Sequence, residues 1–299
     1  MSIRRRLNII IETAIEKLII FSGAFTIITV LLIFVFLLRD ALPALKELNP
    51  WLVLKGMNWF PLSDMYGMLP LIAGSMLVTV GAIVIALPIG VMAAIYIGEI
   101  APMKVRETLK PVIEVLAAIP SVVIGFLGLV LLAPVVQDVF RLPTGGLTAF
   151  TGAFMLAFMA MPTIISISED ALHAVPQSFR EASYGLGATK WQTIHRVVVP
   201  AARNGILAAV MLGVGRAIGE TMTVMMVTGN AAIMPDLSRG LGFLQPIRTM
   251  TATIAAEMGE TVQYDTHYHV LFCVGAVLFL ITFVVNLTAD IALQRSRRY

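Results

Sequence analysis

This 299-residue sequence is short of charge. Asp, Glu, Lys and Arg make up 13% of it and hydrophobic types 58%, against roughly 25% and 45–50% in an average soluble domain. So few charges cannot cover the surface of an ordinary cytosolic enzyme, and so many apolar residues exclude disorder or a collagen-like fibre. There is one cysteine, Cys273, which excludes an internal disulfide and a cysteine-based metal cluster. No Gly is followed by Lys, so the chain has no P-loop to cradle ATP phosphates. Gly-x-Ser-x-Gly and His-Glu-x-x-His are also missing, and nothing supports catalysis. The histidines are His173, His195, His267 and His269. A metal site at His267 and His269 would need further ligands that the sequence does not place, so the pair reads as residues of a membrane boundary.

What the sequence does have is long uncharged apolar runs. A helix needs about 20 residues to cross a ~30 Å hydrocarbon core. Leu18–Leu38, Leu71–Ile97, Val115–Val136, Leu147–Ser168 and His269–Ala289 meet that length. Asn204–Asn230 is equally apolar apart from Arg216 and Glu220. The pattern predicts an all-α polytopic membrane protein with six transmembrane helices. The runs are continuous rather than alternating, which argues against a β-barrel. The first run is too long for the apolar region of a cleaved signal and no small-x-small site follows it, so it is read as a true span.

Basic residues orient the chain. With a cytoplasmic N-terminus, the inside segments 1–17, 98–114, 169–203 and 290–299 hold 14 of the 21 Lys and Arg residues and the outside segments hold six. Both termini are then cytoplasmic. Acidic residues divide almost evenly, so the asymmetry belongs to Lys and Arg.

The longest inside segment, 169–203, reads as structured. Ser178-x-x-Glu181 and Thr189-x-x-Gln192 both have the form of a capping box. Gly185 and Gly187 between them suit a left-handed turn. Pro200 suits the first turn of the next span. Two short helices around a Gly turn are expected. They carry Phe179, Tyr184, Leu186, Trp191 and Ile194, more apolar surface than so small a hairpin can bury, so docking on a partner or on the rest of the chain is expected. The run Glu181-Ala-Ser-Tyr-Gly-Leu-Gly187 followed by Val197-Val-Val-Pro200 resembles the EAA loop of ABC-importer permeases. Glu181, Ala182, Gly187 and Pro200 match that pattern, Ser183 replaces an Ala, and Val197 and Val199 replace Ile and Leu. The resemblance implies a type I ABC-importer permease fold. It also implies that this loop, with Trp191 on its second helix, docks on the cleft of an ATPase subunit. ATP and Mg would belong to that partner, with no cofactor in this chain.

The only charges inside a predicted span are Arg216 and Glu220. As i and i+4 on one helix they would share a face, with Thr223 on the same side. A lone Arg at mid-membrane costs on the order of 2.5–3.5 kcal/mol on insertion scales, which a neighbouring Glu would partly offset. Two readings follow: a salt-bridged lock between helices, or a polar site on a translocation path. In the second, the guanidinium holds a tetrahedral oxyanion through paired N–H donors, and substrate competes with Glu220 for it. Gly213, Gly215 and Gly219 would let a helix or a substrate approach the backbone. The stretch Gly215–Asn230 resembles the fifth span of phosphate ABC-importer permeases, in their PstC-type branch. Ala117–Gly125 and Thr251–Glu260 are also similar to that family. This implies a substrate path through Arg216, Glu220 and Thr223, and the partners that go with it: a second, PstA-type permease subunit, a PstB-type ATPase dimer and a PstS-type phosphate-binding protein. A permease for sulfate or molybdate, and a proton-coupled secondary transporter using Glu220, remain the alternatives.

The chain divides on this reading into 1–70, an N-terminal span with an external segment, and 71–299, a permease core of five spans with the coupling loop 169–203. Pro88 and Pro120 are expected to kink the second and third spans. Trp51, Trp59 and Tyr66 suit an external interfacial belt. Thr249–Glu260 suits a partly inserted external helix, on which Glu257 and Glu260 either face solvent, repel oxyanions or meet a binding protein.

Overall fold

A computed structural model of the chain describes residues 3–143, 145–236 and 242–296. Arg239, Arg297 and Arg298, which entered the charge count, lie outside them. Among the described residues six helical segments are long and apolar enough to cross a membrane: Glu12–Glu47, Leu69–Ile100, Ser121–Phe140, Ala149–His173, Lys190–Gly219 and Thr266–Ile291.

The elements run as follows. Helix α1 is Ile3–Glu47, α2 is Pro50–Lys55, and a two-residue hairpin pairs β1 (Trp59–Phe60) with β2 (Met65–Tyr66). Helix α3 (Leu69–Ile95) ends in a π-turn, Tyr96–Ile100. The amphipathic α4 (Met103–Ala118) precedes α5 (Ser121–Leu127) and α6 (Ala133–Phe140), which are joined by a second π-turn, Gly128–Leu132. Helix α7 is Ala149–His173, α8 Gln177–Gly185 and α9 Lys190–Thr193. A third π-turn, Ile194–Val198, carries α9 into α10 (Val199–Gly219). Helices α11 (Met222–Val227), α12 (Met250–Glu257) and α13 (Thr266–Ser296) complete the order.

Helix α7 is the centre. It packs along α3 on one side and α10 on another, and it touches α4, α5 and α11. Lipid offers no hydrophobic drive for that packing, so close approach through small residues supplies it. Ala82 and Ala86 of α3 meet Ala149, Ala153, Ala157 and Ala160 of α7 in one buried cluster. A Cβ on Gly81 would sit 3.0 Å from the Cβ of Ala153, and one on Gly152 only 2.4 Å from Cγ2 of Thr228. Helix α1 stands apart and leans on α13, with Phe34 stacked on Phe279. Its most apolar window buries none of its residues within the chain.

Two expected spans are corrected. The third begins at Ser121 rather than Val115. Ile119 and Pro120 are both extended, with ψ of 129° and 137°, because Pro donates no N–H and disfavours helix in the residue before it. Pro120 therefore separates two helices instead of kinking one. Pro88, by contrast, stays inside continuous α3. The fifth span is not one helix through Asn230. It starts early, at Lys190, and breaks after Gly219.

Candidate functional site

The break after Gly219 decides where the intramembrane charges go. Glu220 is extended (φ −70°, ψ 130°) and α11 restarts two residues later. Arg216 and Glu220 therefore do not share a helix face, and among the described residues no ion pair joins them. This overturns the expected i, i+4 pair. Glu220 instead turns its carboxylate to the start of α11, where Oε1 accepts from the Thr223 N–H at 3.3 Å. A carboxylate is favoured there by the orphan N–H groups of a helix start.

A broken backbone in lipid must have its polar groups satisfied, and here hydroxyls do it. Thr251 Oγ1 of α12 donates to the Glu220 carbonyl at 3.0 Å, and Thr221 Oγ1 donates to the Gly219 carbonyl at 3.3 Å. Thr223, fully buried, donates to the Ser121 carbonyl at 2.9 Å. Gly125 lets α5 and α11 touch: a Cβ there would stand 3.0 Å from Cα of Thr223.

Arg216 finds other partners. Its Nη1 donates to Thr163 Oγ1 of α7 at 3.0 Å and its Nη2 to the Ala117 carbonyl at 3.3 Å. That carbonyl belongs to the last turn of α4, left without an i+4 donor by the break at Ile119–Pro120. The negative end of a helix is a favourable place for a cation. The site thus gathers Arg216, Glu220 and Thr223 with the 117–125 segment and with Thr251. Thr163 was not foreseen, because one Thr in an apolar span carries no signal until its neighbours are known.

The crevices that touch Arg216 and Glu220, lined by Leu156, Met159, Ala160, Thr79 and Thr251 among others, are no larger than a water molecule. On α10, however, a Cβ on Gly215 or Gly219 would meet nothing, while one on Gly213 would strike Ile164 at 2.7 Å. Gly213 is therefore a packing position inside the chain, and Gly215 and Gly219 lie on a face that this chain leaves open.

At one end of the bundle lie α8 and α9. The Thr189 capping box is formed: Thr189 Oγ1 accepts from Gln192 N at 3.3 Å and Gln192 Oε1 from Thr189 N at 2.9 Å. The Ser178 box is not; α8 begins after Pro176, whose missing side-chain acceptor leaves no cap bond. Gly187 supplies the left-handed turn (φ 83°), whereas Gly185 ends α8 in ordinary conformation. Pro200 falls in the first turn of α10. Ser183 is buried and its hydroxyl lies 2.9 Å from that of Thr193, tying α8 to α9. Of the five apolar candidates only Ile194 is buried; Phe179, Tyr184, Leu186 and Trp191 are exposed, Leu186 at 90%. Glu181 and Ala182 are exposed beside them.

The same end holds an ionic network. Glu169, 3% exposed, receives Lys110 Nζ at 2.7 Å, His173 Nε2 at 2.9 Å and Arg106 Nη2 at 3.4 Å. The Glu169 hydrogen bond raises the pKa of Lys110. At the opposite end Glu257 of α12 is bound by Arg248, by His267 Nε2 at 2.9 Å and by Trp59 Nε1 at 3.2 Å. Glu257 is therefore a structural anchor for α12 rather than a free repelling charge.

Residues 86–298 match the family described as the binding-protein-dependent transport system inner membrane component. The chain belongs to that family. It is one of transport permeases, not of enzymes, and its members are multi-pass membrane proteins. A probable ABC transporter permease protein, YqgH of Bacillus subtilis, is 41% identical over 79% of this chain and 75% of its own length. A phosphate transport system permease protein PstC of Mesorhizobium japonicum is 37% identical over 80% of this chain and 76% of its own. PstC 2 of Mycobacterium tuberculosis is 31% identical over 90% and 87%. Among solved structures, a chain of the MetNI methionine ABC transporter in an inward-facing conformation superposes with a TM-score of 0.53 at 20% identity, covering 75% of this chain and 91% of that one. The fold is thus that of a type I ABC-importer permease.

Proposed function

We propose that the chain is the permease subunit of an ATP-driven phosphate importer. The observation that carries this reading is Arg216: a guanidinium inside the membrane, beside a broken helix, in a chain similar along most of its length to permeases named for phosphate transport. Arg216 and Glu220 form this chain's wall of the path, and Thr223, expected beside them, is buried behind that wall, where it holds α11 to Ser121. The open face at Gly215 and Gly219 is completed by a second permease subunit of PstA type. The exposed surface of Glu181, Ala182, Phe179, Tyr184, Leu186 and Trp191, set by Ser183, Gly187 and Pro200, seats a PstB-type ATPase, which supplies ATP and Mg. A PstS-type phosphate-binding protein meets the opposite end. The α8–α9 end and both termini are then cytoplasmic, in accord with the Lys and Arg count. Residues 1–70 act as an added span and external cap on the core 71–299.

In the cycle, nucleotide binding draws the ATPase dimer together and moves α8 and α9 with it, which opens the path outward. Phosphate oxygens accept from the Arg216 N–H groups that Thr163 and the Ala117 carbonyl do not use, while those two bonds hold the guanidinium in place. Hydrolysis returns the helices. Reconstitution with the three partners tests the reading: phosphate, and neither sulfate nor molybdate, should stimulate ATP hydrolysis and accumulate in vesicles. Stimulation by another oxyanion would move the substrate. Uptake without any ATPase, driven by a proton gradient, would replace the reading with a secondary transporter.

A further inference from the structure

Helix α8 presents its apolar side outward and has little of its own to hold it to the bundle. Besides Ser183, which ties it to α9, Arg180 does that holding. Arg180 of α8 is 12% exposed and its partner Glu99 10%. The guanidinium meets the carboxylate through two nitrogens, Nη2 to Oε1 and Nε to Oε2, the latter at 3.4 Å. Its Nη1 also donates to the Val175 carbonyl at 2.7 Å and its Nη2 to the Leu172 carbonyl at 3.0 Å. A planar fork held at four points fixes both the position and the rotation of the helix that carries it.

The place of Glu99 matters as much as its bonds. It lies in the π-turn that ends α3, and such turns insert a locally adaptable step in an otherwise stiff helix. Leu172 and Val175 lie at the end of α7 and just beyond it. Arg180 therefore ties α8 to the ends of α3 and α7 together, the two helices that form the centre of the bundle. From there α3 runs to the opposite end, where Ser75 Oγ accepts from the Met250 N–H of α12 at 2.9 Å. Helix α12 in turn holds the break at Glu220 through Thr251. A continuous set of bonded elements thus joins the α8 surface to the intramembrane site.

We infer that Arg180 is a positioning residue for coupling: through Glu99 it converts displacement of α8 into movement of α3 and α7, and it takes no part in the ATPase contact itself. This rests on the ABC-importer reading above. The test uses the complete reconstituted transporter with the variants Arg180→Met, Arg180→Lys, Glu99→Gln and the double variant Arg180→Met/Glu99→Gln. Three quantities are read: co-isolation of the ATPase, ATP turnover, and phosphate accumulated per ATP hydrolysed. Arg180→Met is expected to co-isolate with the ATPase as the wild type does, yet to accumulate at least tenfold less phosphate per ATP. Arg180→Lys should recover part of that ratio. The double variant should be no worse than the worse single one, because both remove the same link. A normal ratio in Arg180→Met, loss of ATPase co-isolation in it, or additive losses in the double variant would overturn the inference. Where Arg180→Met does not fold, Glu99→Gln decides by the same ratio. Failure of the wild-type chain to co-isolate with an ATPase would instead defeat the importer reading.

Discussion

Glu220→Gln separates a lock from a cap. Were Arg216 and Glu220 a buried ion pair, neutralising one partner would leave an uncompensated charge and cost about 3–5 kcal/mol. At roughly 2–4 °C per kcal/mol for a chain of 150–250 residues, that is a fall in melting temperature on the order of 6–20 °C. The structure predicts far less. Arg216 is held by Thr163 and Ala117, and Glu220 accepts one bond from the Thr223 N–H, which the Gln carbonyl can also accept. What is lost is the favourable charge at the start of α11, worth about 0.3–1 kcal/mol, or about 1–4 °C. Cys273 gives a convenient assay. It is the sole cysteine in the sequence, is 5% exposed and lies between α13 and α1 with Sγ 3.4 Å from the Ala41 carbonyl. A thiol-reactive dye therefore reports unfolding without engineering. The variant should melt within a few degrees of the wild type while phosphate uptake drops at least tenfold. A fall of more than 6 °C would refute the cap assignment and restore the lock.

Other outcomes follow from single contacts. Thr163→Val removes one of the two bonds on a charged group, worth about 1.5–3 kcal/mol, so the concentration of phosphate giving half-maximal uptake should rise about tenfold; an unchanged uptake curve would free Arg216 from α7. Gly146→Ala should fail to fold or lose more than about 3 kcal/mol, since φ is +73° and the new Cβ would fall on the Ala133 carbonyl; dye-monitored melting checks it. Trp191→Ala, at a side chain 63% exposed, should change stability by no more than about 0.5 kcal/mol and still weaken ATPase co-isolation at least tenfold. Burial, with Asp64 beside it, pushes the Tyr66 hydroxyl up to about 12. The folded state then favours the protonated phenol, so this contribution is complete below pH 10 and fades as pH rises toward 12. A Tyr66→Phe variant should lose less stability than the wild type between those values, as melting curves across that range would record.

The sequence made the class, most of the spans and the helical hairpin in 169–203 readable for one physical reason: each is written locally. A 20-residue apolar run, a Thr-x-x-Gln box and a surplus of Lys and Arg need no knowledge of what lies across the bundle. The site was legible only in its membership. Arg216 and Glu220 stood out because charge is costly in lipid, but their relation was misread, because the i, i+4 rule assumes a helix that continues. Nothing in Gly219-Glu220-Thr221 forces a break by itself. The break is stabilised from afar, by Thr251 on α12 and by Ser121 receiving Thr223. Pro120 shows the converse: its disruption was visible, yet its consequence was not. Ending α4 there frees the Ala117 carbonyl, and 99 residues later Arg216 takes it. A proline that breaks one helix thus supplies the partner that lets an arginine remain uncoupled from its nearest glutamate in another. The substitution Pro120→Ala should accordingly act on Arg216: if α4 and α5 fuse, the Ala117 carbonyl turns to the Ser121 N–H, and phosphate uptake should fall as it does for Thr163→Val, with the two changes together no worse than one. Full additivity would show that the carbonyl and the hydroxyl do not serve the same guanidinium.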